Sequence, residues 1–331
     1  MSELRWSKEE ADKWYSKQPW LVGCNFIPST AINQLEMWQE ETFDEETIGR
    51  ELGWAAALGF NTVRVYLHDL LWQADADGFK DRISCYLEVA GRSSIHTLFV
   101  IFDDCWNENP RTGKQPDPVP GVHNSGWVQS PGSKVVTDPT TWVQLERYVQ
   151  DIIGAFAEDR RVLVWDLYNE PGNSGLEIKS LSLLEEVFKW ARAAGPTQPL
   201  TTGVWRNNKE ITDFQLRASD VITFHNYNDT QSLIVQIREL KTYGRPIICT
   251  EYMARTRGSC FETHLPIFKR ENVGCCNWGL VSGKTQTIYP WGSEEGAPEP
   301  SVWFHDVLRE DGSSFKNEEV ELIKNLTSVS Q

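Results

Sequence analysis

Eight short apolar segments, separated by longer helical patterns, constrain the fold of this chain more than any other feature of its sequence. Each segment is nearly continuous in apolar residues, which is typical of parallel strands covered on both faces. Alternation of such strands with helices indicates repeated βα units. The segments are Pro19–Phe26, Phe60–Leu67, Thr97–Phe102, Val162–Tyr168, Leu200–Val204, Val221–His225, Pro246–Glu251 and Val273–Trp278.

The intervening segments carry apolar residues at helical spacing. Asp44 and Asp138 stand at N-cap positions of two such helices, with Pro139 at the first helical position and Gly59 at the end of the first helix. Two further stripes run through residues 181–191 and 234–240. Eight strands with helices between them predict an α/β chain folded as one closed (β/α)8 TIM barrel, which typically takes about 250 residues. A doubly wound sheet is the competing topology.

Two connections are too long to be simple linkers. Residues 103–138 show no helical or strand pattern, and Asn107–Ser133 alone contains five Pro and four Gly. The second connection, Gly279–Pro300, follows the eighth strand. Because loops after barrel strands build the active-site face, these long β3-α3 and β8-α8 loops are expected to be functional. We predict a single domain, with an N-terminal helical extension at 1–18, the barrel at 19–310 and a C-terminal helix at 311–331.

The charge balance excludes several classes of partner. With 32 Lys and Arg against 47 Asp and Glu, the net charge is −15, and no run of basic residues exceeds two. A nucleic-acid partner is therefore not expected. No apolar stretch approaches the roughly 20 residues that cross a bilayer, so no membrane partner is expected either.

The N-terminus and the cysteines bear on location. Residues 1–18 lack the apolar region of a signal peptide, and the seven cysteines are scattered without a CxxC pair. These features favour a cytoplasmic protein, although a secreted protein with its signal peptide removed would look the same.

Two glutamates stand where predicted strands end. The fourth strand leads into Asn169-Glu170-Pro171 and the seventh into Thr250-Glu251-Tyr252, 81 residues later, as expected for three βα units of about 27 residues. Both carboxylates then emerge at the same rim and face each other across a ligand. Glycoside hydrolysis requires such a pair, one protonated and one ionised. Alternatively, each glutamate caps a helix or pairs with an arginine.

With these motifs the sequence resembles the clan of retaining (β/α)8 glycosidases that includes glycoside hydrolase families 2 and 5. The resemblance extends from residue 20 to about 310, and the β-sandwich domains of family 2 are missing. Besides the two glutamate motifs, it is carried by Asn61-Thr62-Val63-Arg64, His225-Asn226-Tyr227 and Trp278. It implies that Glu170 is the general acid/base and that Glu251 is the nucleophile.

The resemblance also implies a set of substrate-binding residues. Asn169 would bind the sugar 2-hydroxyl, Arg64 and Tyr227 would donate to Glu251, and Trp278 would lie under the reacting ring. His225 would lie beside the acid or the sugar, or serve as a satisfied core histidine, and Arg64 has a structural ion pair as its alternative role. Asp103 and Trp106 follow strand three, where relatives often have a histidine. Trp291 in the second long loop joins Trp106, Trp127, Trp205 and Trp278 as tryptophans near strand ends that can stack on sugars.

Other chemistries find little support. Gly283-Lys284-Thr285 lacks the earlier glycine of a P-loop, because Trp278 occupies that position, and no GxSxG elbow is present. The six histidines show no zinc-binding spacing, so a zinc site is not expected. The resemblance to the glycosidase clan implies that no metal or other cofactor is needed.

We therefore predict a retaining β-glycosidase for β-linked oligosaccharides or small glycosides, with a carbohydrate substrate as its partner. Its two carboxyl groups are expected about 5–5.5 Å apart. A transglycosidase on the same residues and a non-catalytic carbohydrate-binding protein remain the alternatives.

Overall fold

The computed structural model describes residues 5–205 and 208–328. Within them, eight parallel strands form one sheet, and each strand falls within a residue or two of a predicted apolar segment. Their bounds are β1 Val22–Asn25, β2 Thr62–Tyr66, β3 His96–Asp103, β4 Val162–Asn169, β5 Leu200–Thr201, β6 Ile222–His225, β7 Ile247–Tyr252 and β8 Gly274–Trp278.

The strand order shows that the sheet is a barrel. Strands that are neighbours in sequence pair with each other except for β5 and β6, β1 also pairs with β8, and the order runs β5-β4-β3-β2-β1-β8-β7-β6. The remaining gap between β5 and β6 is bridged by backbone hydrogen bonds between Val204 and residues 223 and 225. The predicted single (β/α)8 barrel is confirmed, because a doubly wound sheet would have two free edges.

Twelve α-helices occur in the described part of the chain, and most of them follow a strand and cover the outside of the barrel. They are α1 Lys8–Tyr15, α2 Gln34–Trp38, α3 Glu45–Ala57, α4 Asp69–Ala74, α5 Ala76–Arg92, α6 Ser133–Val136, α7 Trp142–Ala155, α8 Ser180–Ala193, α9 Lys209–Ala218, α10 Thr230–Lys241, α11 Phe261–Glu271 and α12 Asn317–Thr327. No helix among the described residues has both the length and the apolar composition needed to cross a membrane.

Two of the predicted helix starts illustrate how local sequence sets these bounds. The Asp44 side chain accepts a hydrogen bond from the Thr47 amide and caps α3, as its position predicts. Asp138 caps a 3₁₀ turn at Pro139–Thr141, after which α7 begins. The predicted helix therefore starts as a tighter turn.

The two long loops are present, and they leave the C-terminal ends of β3 and β8. One difference from the sequence-based expectation lies in the first loop, where the four-residue helix α6 interrupts the predicted irregular chain. So short a helix carries too few apolar positions for its period to be visible in sequence.

The opposite end of the barrel is closed by the N-terminal segment. Ala11 of α1 is fully buried in a cluster with Leu21, Leu98, Val164 and Ile248, and Trp6, Trp14 and Tyr15 pack against this cluster. At the other end of the chain, α12 packs on α11. Residues 1–4 of the predicted extension and 329–331 of the predicted C-terminal helix lie outside the described residues.

Candidate active site

An open pocket of about 970 Å³ lies at the C-terminal ends of the strands. Eight of the ten site residues predicted from sequence line it: Trp106, Asn169, Glu170, His225, Tyr227, Glu251, Trp278 and Trp291. The other two, Arg64 and Asp103, are buried below the pocket and contact residues that line it. The fold therefore brings residues from six strands or their loops to one place.

Glu251, near the end of β7, is surrounded by hydrogen-bond donors. Its Oε1 accepts from Arg64 Nη1 at 2.7 Å and from Tyr66 OH at 2.9 Å, and its Oε2 accepts from Tyr227 OH at 2.8 Å. Three donors, one of them cationic, suit an ionised carboxylate and hold it in one orientation. The β7 register shifts between Cys249 and Tyr252, an irregularity of the kind that redirects side chains at barrel rims.

Arg64 is the centre of a buried network inside the barrel. Its side chain is completely inaccessible to solvent and donates twice to Asp166, at 2.9 and 2.8 Å, in addition to its bond with Glu251. It also donates to Asn25 and Asn169 at 2.9 and 2.8 Å. A buried guanidinium needs such compensation. Arg64 thus forms a structural ion pair with Asp166 and, at the same time, donates a hydrogen bond to Glu251.

Glu170 directly follows β4 and has a left-handed backbone, with φ of 43°. Its Oε1 lies 2.8 Å from His225 Nδ1, and its Oε2 accepts from Asn173 Nδ2 at 2.6 Å and from the Cys105 thiol at 3.3 Å. Burial raises the pKa of Glu170, but the hydrogen bond and charge of His225, together with the hydrogen bonds from Cys105 and Asn173, hold that pKa below its usual range.

The two carboxylates face each other closely. One oxygen of Glu170, one of Glu251 and a ring nitrogen of His225 all lie within 4.8 Å of one another. Three such groups can in principle hold a metal ion. Here, however, the cationic Arg64 already donates to Glu251, and its positive charge disfavours a metal ion at this place.

Two aspartates, the last residue of β3 and the residue after it, support this arrangement from below. Asp103 accepts from Asn169 Nδ2 at 2.9 Å and from Trp127 Nε1 at 2.7 Å, and so orients two pocket residues. Asp103 is buried and does not line the pocket, and it contacts the pocket residues Asn169 and Trp127. Burial raises its pKa to about 6 despite these donors.

Asp104 stabilises the loop that carries Glu170. Its carboxylate accepts from Tyr168 OH at 2.7 Å, from the Gly172 amide at 2.7 Å and from Ser180 Oγ at 2.5 Å. Gly172 follows Glu170 by two residues, and Ser180 begins α8. Burial raises the pKa of Asp104 to about 7.

Aromatic rings form much of the pocket surface. Trp278 stands edge-on to Tyr66 and Trp127, with ring centres 5.9 and 5.7 Å away. Trp106 and Trp291 are more open, with 46% and 38% of their surface exposed. Flat apolar faces beside polar groups are suited to sugar rings, which have apolar faces and polar edges.

Three residues in contact with the carboxylates escaped the sequence-based prediction. Tyr66 lies two positions after Arg64 in β2, so the two-residue period of a strand places both on one face and could have identified it. Cys105 and Asn173, which bind Glu170, lie in loops where no period applies.

A (β/α)8 barrel with two opposed carboxylates at the C-terminal ends of β4 and β7 has the arrangement that glycoside hydrolysis requires. The family model "Cellulase (glycosyl hydrolase family 5)" matches residues 29–283, which is most of the chain. The chain therefore belongs to glycoside hydrolase family 5 and is an O-glycosyl hydrolase. The alternative of a non-catalytic carbohydrate-binding protein is set aside.

Solved structures similar to this chain support the fold. A variant of GH5_18 from Streptomyces cattleya in complex with Manβ1-4GlcNAc is 13% identical with a TM-score of 0.61, over 92% of this chain and 80% of that one. The family 5 mannosidase from Rhizomucor miehei is 14% identical with a TM-score of 0.61, over 94% and 93%. The endo-β-1,4-mannanase from Thermotoga petrophila is 13% identical with a TM-score of 0.61, over 93% and 76%. A comparison with curated protein sequences finds no match.

Proposed function

We propose that the chain is a retaining β-glycosidase that works by double displacement, with Glu251 as the nucleophile and Glu170 as the acid/base. The observation that carries this proposal is the approach of Glu170 and Glu251 oxygens to within 4.8 Å. Retaining enzymes have carboxyl groups about 5–5.5 Å apart, whereas inverting enzymes need about 6.5–9.5 Å to admit a water molecule.

The surroundings of the two glutamates assign their roles. Glu251 receives three hydrogen bonds, one of them from the cationic Arg64, and these donors orient it for attack. Glu170 is held by His225 and Asn173 and stands at the pocket rim, where it reaches the leaving oxygen. The negative charge of Glu251 opposes the donors that hold the pKa of Glu170 low, and this opposition disappears once Glu251 is esterified. The pKa of Glu170 is therefore higher before the glycosyl ester forms than afterwards, as a change from acid to base requires.

In the first step, a Glu251 oxygen bonds to the anomeric carbon while the glycosidic C–O bond breaks. The proton of Glu170 passes to the leaving oxygen, and the product is an α-linked glycosyl ester of Glu251. In the second step, Glu170 takes a proton from water, whose oxygen attacks the anomeric carbon and displaces Glu251. Two inversions restore the β configuration.

The remaining residues bind or position the sugar. Asn169 is oriented by Arg64 and Asp103, and its side chain reaches the 2-hydroxyl, a contact that strengthens in the oxocarbenium-like transition state. Trp278 lies beneath the reacting ring. Because the Nδ1 atom of His225 contacts Glu170, its role is to bind the acid, with the other ring nitrogen left for the substrate.

A panel of p-nitrophenyl glycosides tests the proposed reaction. Several similar structures are named as mannanases or mannosidases, so we place the β-mannoside first, followed by the β-glucoside and β-galactoside. We expect hydrolysis of at least one β-glycoside and none of the matching α-glycosides, measured as nitrophenol release. Hydrolysis of the α-glycosides alone would contradict the proposal. Products longer than the substrate would indicate transglycosylation through the same ester.

A further inference from the structure

The two long loops are joined across one side of the pocket. The Gln286 side chain accepts from the Gly121 amide at 3.0 Å and donates to the Val119 carbonyl at 2.7 Å. Backbone bonds of 2.8 Å connect Asn124 to Thr285 and Gly296 to Pro120. The β3 and β8 loops therefore form one continuous surface and not two separate flaps.

The loop after β1 completes this surface. The Lys284 amide donates to the Ser29 carbonyl at 3.0 Å, and its ammonium group binds Glu36 at 2.6 Å. Asn33, which is buried, donates to the Gly126 carbonyl at 2.8 Å. We call the joined segments 28–36, 113–128 and 280–306 the loop wall. The loop wall follows β1, β3 and β8 and covers the pocket from that side.

The inner face of the loop wall is rigidly packed. Trp127 contacts Trp278 and Tyr66, and Trp291 meets the Tyr227 ring edge-on at 5.0 Å between ring centres. His123, which is buried and also lines the pocket, has its Nδ1 bonded to the Tyr289 carbonyl at 2.7 Å. These contacts pack the loops against the pocket.

Two polar atoms on the pocket side of the loop wall have no hydrogen-bond partner among the described residues. They are Asn124 Oδ1 and His305 Nε2, and both are buried on residues that line the pocket. The Nδ1 of His305 bonds to the Met253 carbonyl and must carry the proton, so Nε2 is an acceptor. Buried polar atoms are rarely left unpaired, so these two acceptors indicate a ligand with hydroxyl donors at this end of the pocket.

The position of Glu170 fixes which end of a sugar chain meets the loop wall. The acid must stand on the leaving-group side of the reacting sugar, and Glu170 follows β4. In the closed barrel β4 lies opposite β8. The leaving group therefore extends over β4 and β5, past Asn173 and Trp205, and the other end of the reacting sugar points to the loop wall.

We propose that the loop wall restricts the non-reducing side to one sugar, so that the enzyme removes single sugars from the non-reducing ends of β-linked chains. Asn124 and His305 accept hydrogen bonds from hydroxyls of that terminal sugar, remote from its anomeric carbon. An enzyme that cuts within a chain needs a cleft open at both ends, and the loop wall closes one of them. This inference rests on the proposed retaining β-glycosidase activity.

Product analysis on labelled oligosaccharides tests the inference with the unmodified protein. A β-linked pentasaccharide, labelled at its reducing end and built from the sugar whose aryl β-glycoside is hydrolysed, is sampled early in the reaction. We expect monosaccharide and the labelled tetrasaccharide as the first products. Labelled di- or trisaccharide among the first products overturns the inference, as does complete resistance of the oligosaccharide. Both outcomes are compatible with the proposed function. Failure to hydrolyse any aryl β-glycoside would instead contradict the proposed function itself.

A pair of variants tests the acceptor role of Asn124. The residue has a left-handed backbone with φ of 52°, which glycine also adopts, so Asn124→Gly removes the side chain without backbone strain. We expect kcat/KM for the aryl β-glycoside to fall about tenfold or more, because a buried hydroxyl of the substrate loses its partner. Asn109→Gly, at an exposed position of the same loop, is the control and should change little. Equal values for both variants would contradict the role of Asn124.

Discussion

Replacement of Glu251 by Ala is expected to lower kcat by about 10⁵-fold or more, a loss typical of removing a covalent nucleophile. Without the carboxylate no glycosyl ester forms, and Arg64 and the hydroxyls of Tyr66 and Tyr227 face an empty space. The loss is measured as release of nitrophenol from the best aryl β-glycoside. A matched control is Glu262→Gln, which alters an exposed glutamate of α11 and should leave kcat unchanged.

The Glu251→Ala variant is expected to keep its fold, because Arg64 retains both bonds to Asp166 after the carboxylate is gone. A cooperative thermal transition monitored by circular dichroism checks this. Added azide is small enough to enter the vacated space and attack the anomeric carbon from the same side as Glu251, and it should give an α-glycosyl azide. Retained activity in the folded variant would contradict the assignment of the nucleophile.

Replacement of Glu170 by Ala is expected to have an effect that depends on the leaving group. General acid catalysis contributes about 10²–10⁴-fold, so unactivated glycosides should lose at least this factor in kcat/KM. A dinitrophenyl glycoside, whose leaving group needs no proton, should form the ester at a nearly normal rate and then stall, because no base activates water. The measurement is a comparison of pre-steady-state bursts for the two substrates.

Azide distinguishes this variant from the first. It needs no general base, so it should relieve the stall of Glu170→Ala and yield a β-glycosyl azide, opposite in configuration to the product of Glu251→Ala. An equal loss of kcat/KM for activated and unactivated substrates would contradict the acid/base role of Glu170.

The sequence was sufficient to predict the barrel and the two glutamates for a physical reason. Strands buried on both faces must be almost wholly apolar, so each left a clear segment, and polar residues such as Glu170 and Glu251 stood out where those segments end. Their separation of three βα units then placed both at one rim. Arg64 was recognisable for the same reason, as a charged residue within an apolar strand.

The loops and the contacts they make could not be predicted in this way. Gln286 joins two loops through backbone groups of Gly121 and Val119. Because every residue type carries a backbone carbonyl, and almost every one an amide, the sequence does not indicate which of these groups will be bound. Asp103 lies buried below the pocket and is hydrogen-bonded to Trp127, 24 residues further along an irregular loop. Contacts of this kind are set by the tertiary fold and have no local period.

The configuration of the first sugar released tests the central claim most directly. Hydrolysis of the best aryl β-glycoside is followed by proton NMR at high enzyme concentration, so that product forms faster than it mutarotates. Double displacement through Glu251 predicts that the β-anomer appears first and the α-anomer follows only by mutarotation. Initial release of the α-anomer would show inversion and would contradict a covalent intermediate on Glu251.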